Sequence, residues 1–216
     1  MKIAIVGATG FVGAKLVAEA LSRGHSVTAI VRSPEKLPKD ARIKVVKADV
    51  NDSAALAEAF RGHDAVIHAY APPRPDSVQS RIEQQTKATK SIIAALKSAG
   101  VKRVLAVGGA GTSEIAPGVR LMDSYLFPKA WEGGAKSTMV IKDLFKAEPE
   151  LDWIFLSPPH FLEPGKRTGK YRTGVDNLIF EEATGRSYIS VDDYALALID
   201  EAETHKHSRQ RFTVGT

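Results

Sequence analysis

A chain of 216 residues, 44% hydrophobic and 25% charged, is long enough for one buried core and short for two, with the composition of an ordinary soluble globule rather than a disordered, collagen-like or membrane protein. The absence of cysteine excludes a disulfide framework, thiolate ligation of zinc or iron–sulfur clusters and a cysteine nucleophile, and a reducing, cytoplasmic setting fits it best. The net charge of +5 sits in small clusters, Lys166-Arg167 with Lys170 and Arg172, and His205-Lys206-His207 with Arg209 and Arg211, without interleaved stacking aromatics; they read as solvated surface rather than a nucleic-acid interface.

Short apolar runs alternate with stretches of helical period, which predicts repeated βαβ units: an α/β, Rossmann-type doubly wound fold with a mostly parallel sheet, helices on both faces and one domain over 1–216. The first run, 2–6, could open a signal peptide, but it breaks at Gly7 with no cleavage site behind it and is read as a buried strand. A helix over 10–23 gathers Phe11, Leu16, Val17, Ala20 and Leu21 on one face and stops at Gly24. Strands follow at 26–31 and 43–46. Asp52 or Ser53 caps a helix to residue 60, and a strand spans 65–69. A long helix over 76–98, with Ile82, Ile92, Ile93 and Leu96 near one stripe, leads to a strand at 101–107.

Beyond Gly108 the rhythm loosens into a loop to residue 134, a helix over 135–146 and a strand at 153–156. The expected substrate-loop regions are 109–135 and 158–187, and turn signals at Pro158-Pro159, Pro164-Gly165, Thr168-Gly169 and Thr173-Gly174 make the latter loops and short strands over the sheet's carboxyl edge. Ser190-Val191-Asp192-Asp193 reads as a capping box opening a helix to about residue 204, and a strand at 211–214 closes the chain. No stretch approaches the roughly 18 to 20 apolar residues that span a bilayer, so no membrane partner is expected.

The segment Gly7-Ala8-Thr9-Gly10-Phe11-Val12-Gly13 lies between the first strand and first helix, where a dinucleotide's pyrophosphate needs close backbone approach, amides and a helix N-terminus. Gly7 permits the tight exit from the strand, Gly10 the approach of the phosphates and Gly13 the packing of helix on sheet; glycines at helix starts also serve purely structural turns. About 20 residues beyond the turn, where NAD binders present a carboxylate to the ribose, stands Val31-Arg32-Ser33. A guanidinium there favours NADP(H) over NAD(H), unless Arg32 is simply an exposed turn residue before Pro34.

With Gly7 to Gly13, Arg32, Ala48-Asp49-Val50 and Val107-Gly108-Gly109-Ala110-Gly111, the chain resembles the atypical short-chain dehydrogenase/reductase superfamily over almost its whole length. The later segments Pro117 to Asp123, Ser157-Pro158-Pro159, Pro164 to Arg172 and Ser187 to Ala195 resemble its NAD(P)H-flavin reductase group, related to biliverdin reductase B and NmrA-like proteins. The resemblance implies that Asp49 bonds the adenine amino group beside Val50, and that Ala69, Tyr70, Ala71, Gly108, Gly109, Ala110 and Pro158 border the ribose and nicotinamide. Asp49 also suits a helix-preceding turn. The serine of the biliverdin reductase relative after the fifth strand is Gly109 here, whereas His160 matches a histidine there and is the candidate catalytic hydrogen-bond donor, or a loop histidine in ordinary contact.

Tyr125-Leu126-Phe127-Pro128-Lys129 imitates the Tyr and Lys of ordinary short-chain dehydrogenases, but Pro128 keeps the pair off a regular helical turn. Flavin reduction fits a missing dyad, because hydride passes between two cofactor rings that the protein mainly stacks and orients. Phe127, Trp131, His160, Phe161 and Tyr171 are candidates for that surface, though such aromatics also pack on each other. The expected function is an NADPH-dependent oxidoreductase acting on a flat small-molecule acceptor such as free flavin or a quinone, as monomer or homodimer. Rivals are a noncatalytic NADP(H)-sensing regulator of NmrA-like type and a sugar-nucleotide epimerase or reductase, which needs Tyr125 and Lys129.

Overall fold

A computed structural model of the chain describes residues 1–73, 77–125 and 127–216. The first half alternates as expected: β1 (Lys2–Val6), α1 (Phe11–Ser22), β2 (Ser26–Val31), β3 (Ile43–Lys47), α2 (Ser53–Phe60), β4 (Ala65–His68), α3 (Val78–Ala99) and β5 (Arg103–Val107). The second half adds a hairpin of β6 (Glu114–Ala116) and β7 (Val119–Arg120), then α4 (Glu132–Lys146), β8 (Asp152–Ser157), β9 (Phe161–Glu163), β10 (Arg172–Gly174), β11 (Tyr188–Ser190), α5 (Val191–Thr204) and β12 (Gln210–Gly215).

The main sheet runs β10-β12-β8-β5-β4-β1-β2-β3. Its strand pairs are parallel except β10 against β12. From β1 the chain steps outward to β2 and β3, then returns across β1 to pair β4 on the other side. That reversal opens a crevice at the carboxyl ends of the strands, where open α/β sheets take their ligands. Side chains alternate across each strand: Ile3 and Ile5 join the core shared with α1 and α5, while Ala4 and Val6 join the core shared with α2, α3 and α4. Helices therefore cover both faces.

Local chemistry sets the helix starts. Asp52 accepts from the Ala55 amide at 3.0 Å, and Ser77 from the Ser80 amide at 3.1 Å. The expected start of the long helix at Asp76 lies outside the described residues. Ser190 accepts from the Asp193 amide at 3.0 Å, but Asp193 does not reach back to complete a capping box. It is fully buried and takes the Thr168 and Gly169 amides at 3.0 and 2.9 Å, with the hydroxyls of Thr168 and Ser190 at 2.8 and 3.0 Å. This carboxylate pins the 165–170 loop to the head of α5.

Other departures come from tertiary contacts. α4 starts three residues before the expected 135, with Gly133 and Gly134 in its first turn beside Val78 and Arg81 of α3. The short strands expected within 158–187 are β9 and β10, of three residues each, which pair with β11 and β12. The basic clusters are partly drawn inward rather than merely solvated. Arg167 pairs with the buried Glu19 at 2.9 Å, Arg211 donates to the Thr112 carbonyl at 2.8 Å, and His207 stacks on Phe212 at 4.1 Å. β3 forms one edge of the sheet and exposes Lys44 and Lys47. Among the described residues no helix is long and apolar enough to cross a membrane.

Candidate dinucleotide site

The glycine turn is held by its own backbone. Gly7 donates to Ile30 of β2 at 3.2 Å, Gly10 to Gly7 at 3.0 Å, and Ala14 to Gly10 at 2.9 Å. Gly7 has φ +86°, and a Cβ there would lie 2.7 Å from the Ala69 carbonyl oxygen; one on Gly13 would lie 2.1 Å from that of Gly7. Neither position admits a side chain, so both glycines fix the turn against β4 and α1. The N-cap of α1 is Gly10, with no side-chain cap, and the first turn carries no acidic residue. Its leading amides and the positive end of the helix dipole thus face the crevice without a built-in anion.

The crevice is a cleft of about 430 Å³ whose floor is Gly7, Thr9, Gly10, Phe11 and Val12. At the β2 end it is bounded by Arg32, with Ser33 and Lys36 in the turn that follows, and by Ala48 and Val50 after β3. Ala69, Tyr70 and Ala71 form its middle wall, and Gly108 closes the far end with Ser137, Thr138 and Ile141 of α4. β2 and β5 are three strand spacings apart, about 14 Å, so the glycine turn lies between the two ends. Among the described lining residues the ionisable groups that carry charge at neutral pH are Arg32, Lys36 and Arg81, all cationic, and no carboxylate lines the cleft. Burial raises the Tyr70 hydroxyl above its ordinary pKa, with the Arg32 charge opposing and Asp49 reinforcing, which keeps it a neutral phenol.

The other expected residues do not line the cleft. Gly13 packs behind the turn against Gly7. Asp49 is exposed, and its Oδ1 accepts the Asn51 amide at 2.8 Å and side chain at 3.0 Å, the turn role that its sequence position also allowed. Gly109 is backed by Thr138, Ala110 opens a short 3₁₀ turn, and Pro158 is buried after β8. His160 is half-buried, and burial holds its pKa below the ordinary 6.5, so at neutral pH it is an uncharged imidazole.

Ser33, Lys36, Arg81, Gln85, Ser137 and Thr138 were not anticipated. Lys36 follows Arg32 by four residues across the 3₁₀ turn Pro34–Lys36, a spacing that was readable. The α3 and α4 residues required knowing how two helices pack side by side. Gln85 is fixed from beneath: its amide nitrogen lies 3.2 Å from Thr89 Oγ1 and 3.3 Å from Nε2 of the fully buried His68, itself 3.2 Å from Thr89. Burial pushes the His68 pKa down to about 4, so the group is a neutral polar bridge across the physiological range.

Beyond the β5 end lies an aromatic cluster. His160 is 5.2 Å from Trp131 and 4.4 Å from Phe161 between ring centroids, Phe127 is 6.3 Å from Trp131, and Arg186 lies 4.7 Å over Phe161. The cluster borders the segment after β5, since a Cβ on Gly111 would lie 3.4 Å from the Phe127 ring and Thr112 meets Ser157 at 3.2 Å. Tyr171 is elsewhere, donating to Asp200 of α5 at 2.5 Å. Tyr125 is 96% exposed, and neither it nor Lys129 lines the cleft; Leu126 lies outside the described residues.

A glycine-turn cleft at a sheet reversal, its described charged lining residues all cationic, defines a dinucleotide-binding protein of Rossmann type. A family model described as NAD(P)H-binding matches residues 7–204, and the chain belongs to that family. YwnB of Bacillus subtilis (strain 168), a protein of uncharacterised function, is 41% identical over 218 residues, covering 99% of this chain and 98% of YwnB. Among solved structures, a Bacteroides thetaiotaomicron protein provisionally named an epimerase is 45% identical with TM-score 0.88, covering 99% of this chain and 96% of its own. A Streptococcus pneumoniae protein provisionally named an NADH-flavin reductase is 33% identical with TM-score 0.86, covering 100% and 99%.

Proposed function

We propose that the chain is an NADPH-dependent oxidoreductase acting on a flat conjugated acceptor such as free flavin or a quinone. The observation that carries this reading is that the charged groups among the described lining residues are cationic, with Arg32 and Lys36 grouped at the β2 end. The residues fit the cofactor. Gly7 and Gly10 line the cleft without side chains of their own, the α1 amides face it, and Arg32, Ser33 and Lys36 suit a 2′-phosphate. Bound there, NADPH supplies a hydride to the acceptor.

The protein's part is to hold and shield. Trp131, His160 and Phe161 offer an apolar, partly exposed surface beside the segment after β5, where a flat ring can stack. A neutral His160 can donate one hydrogen bond to an acceptor carbonyl. The likeness to a protein provisionally named an NADH-flavin reductase supports this choice over other acceptors.

The lack of a carboxylate among the described lining residues also suits a sensor that binds NADP(H) without turnover. Steady NADPH oxidation on adding FMN, FAD or a quinone supports the enzyme; saturable NADPH binding with no oxidation across those acceptors supports the sensor. Arg32→Ala is expected to raise the Kd for NADPH about 10- to 100-fold, the loss of charge-assisted hydrogen bonds, while leaving NADH affinity near wild type. Equal weakening of both cofactors overturns the role of Arg32. Tyr125→Phe is expected to leave NADPH oxidation unchanged, since its side chain stands in solvent; a large fall in kcat would instead favour the epimerase or carbonyl-reductase reading.

A further inference from the structure

Gly109 and Thr138 meet in one space. A Cβ built on Gly109 would come within 2.4 Å of Thr138 Oγ1, 3.2 Å of its Cβ and 3.4 Å of its Cγ2, so the volume that a side chain at 109 would fill is taken by the threonine. Thr138 lies in the second turn of α4 and lines the cleft beside Gly108, at the end remote from Arg32. Its hydroxyl donates to the Ala135 carbonyl at 2.9 Å. A hydroxyl has one proton and two lone pairs, so with that proton engaged it presents acceptor character to anything else. The β-branched side chain has few rotamers, and the backbone of Gly109 lies against it, so the oxygen is held in place rather than swinging.

We propose that Thr138 is a positioning residue whose Oγ1 accepts a hydrogen bond from an N–H or O–H donor of the ligand at the Gly108 end of the cleft, in the space vacated by a side chain at residue 109. The inference rests on the reading of the cleft as an NADPH site. The donor chemistry is that of a carboxamide N–H or ribose hydroxyl on the nicotinamide half, or of an imide N–H on a flavin acceptor. Ser137, whose proton goes to the Gly134 carbonyl at 2.8 Å, has the same acceptor polarity on the adjoining position. That end of α4 therefore recognises donors, as the Arg32 end recognises anions.

The test compares Thr138→Val, which keeps the shape and removes the hydroxyl, with Thr138→Ser, which keeps the hydroxyl, and with the pair Gly109→Ser and Thr138→Ala, which moves it across the shared space. NADPH affinity is measured by calorimetric titration, and acceptor KM and kcat with FMN at saturating NADPH. Thr138→Val is expected to weaken NADPH about five- to tenfold if the donor is on the cofactor, or to raise the FMN KM by a similar factor if it is on the acceptor. Thr138→Ser retains wild-type values, and the relocated hydroxyl recovers most of the loss. Gly109→Ser alone melts below wild type because of the collision, and Thr138→Ala restores the Tm.

The proposal is overturned if Thr138→Val matches wild type in both NADPH Kd and FMN KM, or if Thr138→Ser falls as far as Thr138→Val, which would make shape rather than the hydroxyl responsible. In a protein that binds NADPH but oxidises none, an unchanged NADPH Kd in Thr138→Val overturns it. A folded wild type that binds no NADPH defeats the reading of the cleft itself, an outcome distinct from these.

Discussion

Gly13→Val is expected to abolish NADPH binding and to lower the Tm by about 5–10 °C, the effect of forcing bulk into a closed contact in a chain of this size. The first carbon of any side chain there would meet the Gly7 carbonyl oxygen at 2.1 Å. That carbonyl accepts the Gly10 amide, so pushing it away dismantles the turn that aims the α1 amides. Gly10 differs: its Cβ would approach the same oxygen only to 3.2 Å, a contact relieved by a small shift. Gly10→Ala should therefore melt near wild type, and Gly10→Trp should lose NADPH by filling the cleft rather than by unfolding. Differential scanning calorimetry paired with NADPH titration separates these effects. A Gly13→Val protein that melts and binds like wild type would show that the first helix does not sit against the turn as described.

Asp193→Ala is expected to cost about 1–3 kcal/mol, the cost of removing a charged acceptor from a buried hydrogen-bond network. The carboxylate is fully buried, and its loss removes the acceptor of the Thr168 and Gly169 amides and of the Thr168 and Ser190 hydroxyls. Burial alone would raise its pKa, but the donors of Thr168, Gly169 and Ser190 together outweigh burial and hold it below the ordinary 3.8. A carboxylate depressed on folding contributes stability above its unfolded pKa and loses that contribution as pH falls through the lower folded value. The difference in urea midpoint between wild type and Asp193→Ala should be full at pH 7 and shrink well below pH 4. A difference that stays constant into that acid range would mean the carboxylate's charge is not what holds the loop.

The effect reaches the site through α1. The loop that Asp193 pins carries Arg167, which pairs with Glu19 of α1, and the adjacent Asp192 pairs with Lys15 at 2.9 Å. The helix that presents the phosphate turn is thereby tied to α5 directly at Lys15 and through the pinned loop at Glu19.

What could be read from the sequence was what depends on near neighbours. Gly7, Gly10 and Gly13 stand between a strand and a helix, and their roles follow from backbone geometry within seven positions. Arg32 could be placed because it directly follows the second strand of a βαβ unit. Asp49 was ambiguous because one carboxylate suits both a ligand amine and an Asx turn, and in the structure Asn51 takes it. Gln85, Ser137 and Thr138 were out of reach, since which side of α3 or α4 looks into the cleft is decided by helix packing across tens of residues. Short strands within 158–187 were legible from the turn signals, but not the positions of β9 and β10: three residues hold too little alternation, and their partners are β11 and β12.

The outer rim at β3 has a consequence for behaviour at high concentration. A sheet margin with free backbone groups invites another extended chain to join it. Lys44 and Lys47 stand exposed on this margin, an odd number of positions apart and so on opposite sides of the pleat. A second copy laid edge to edge would bring ammonium groups together on either side, which opposes fibre-like growth from that rim. The protection is electrostatic, so it is strongest in dilute buffer and fades as added salt shortens the range of the repulsion.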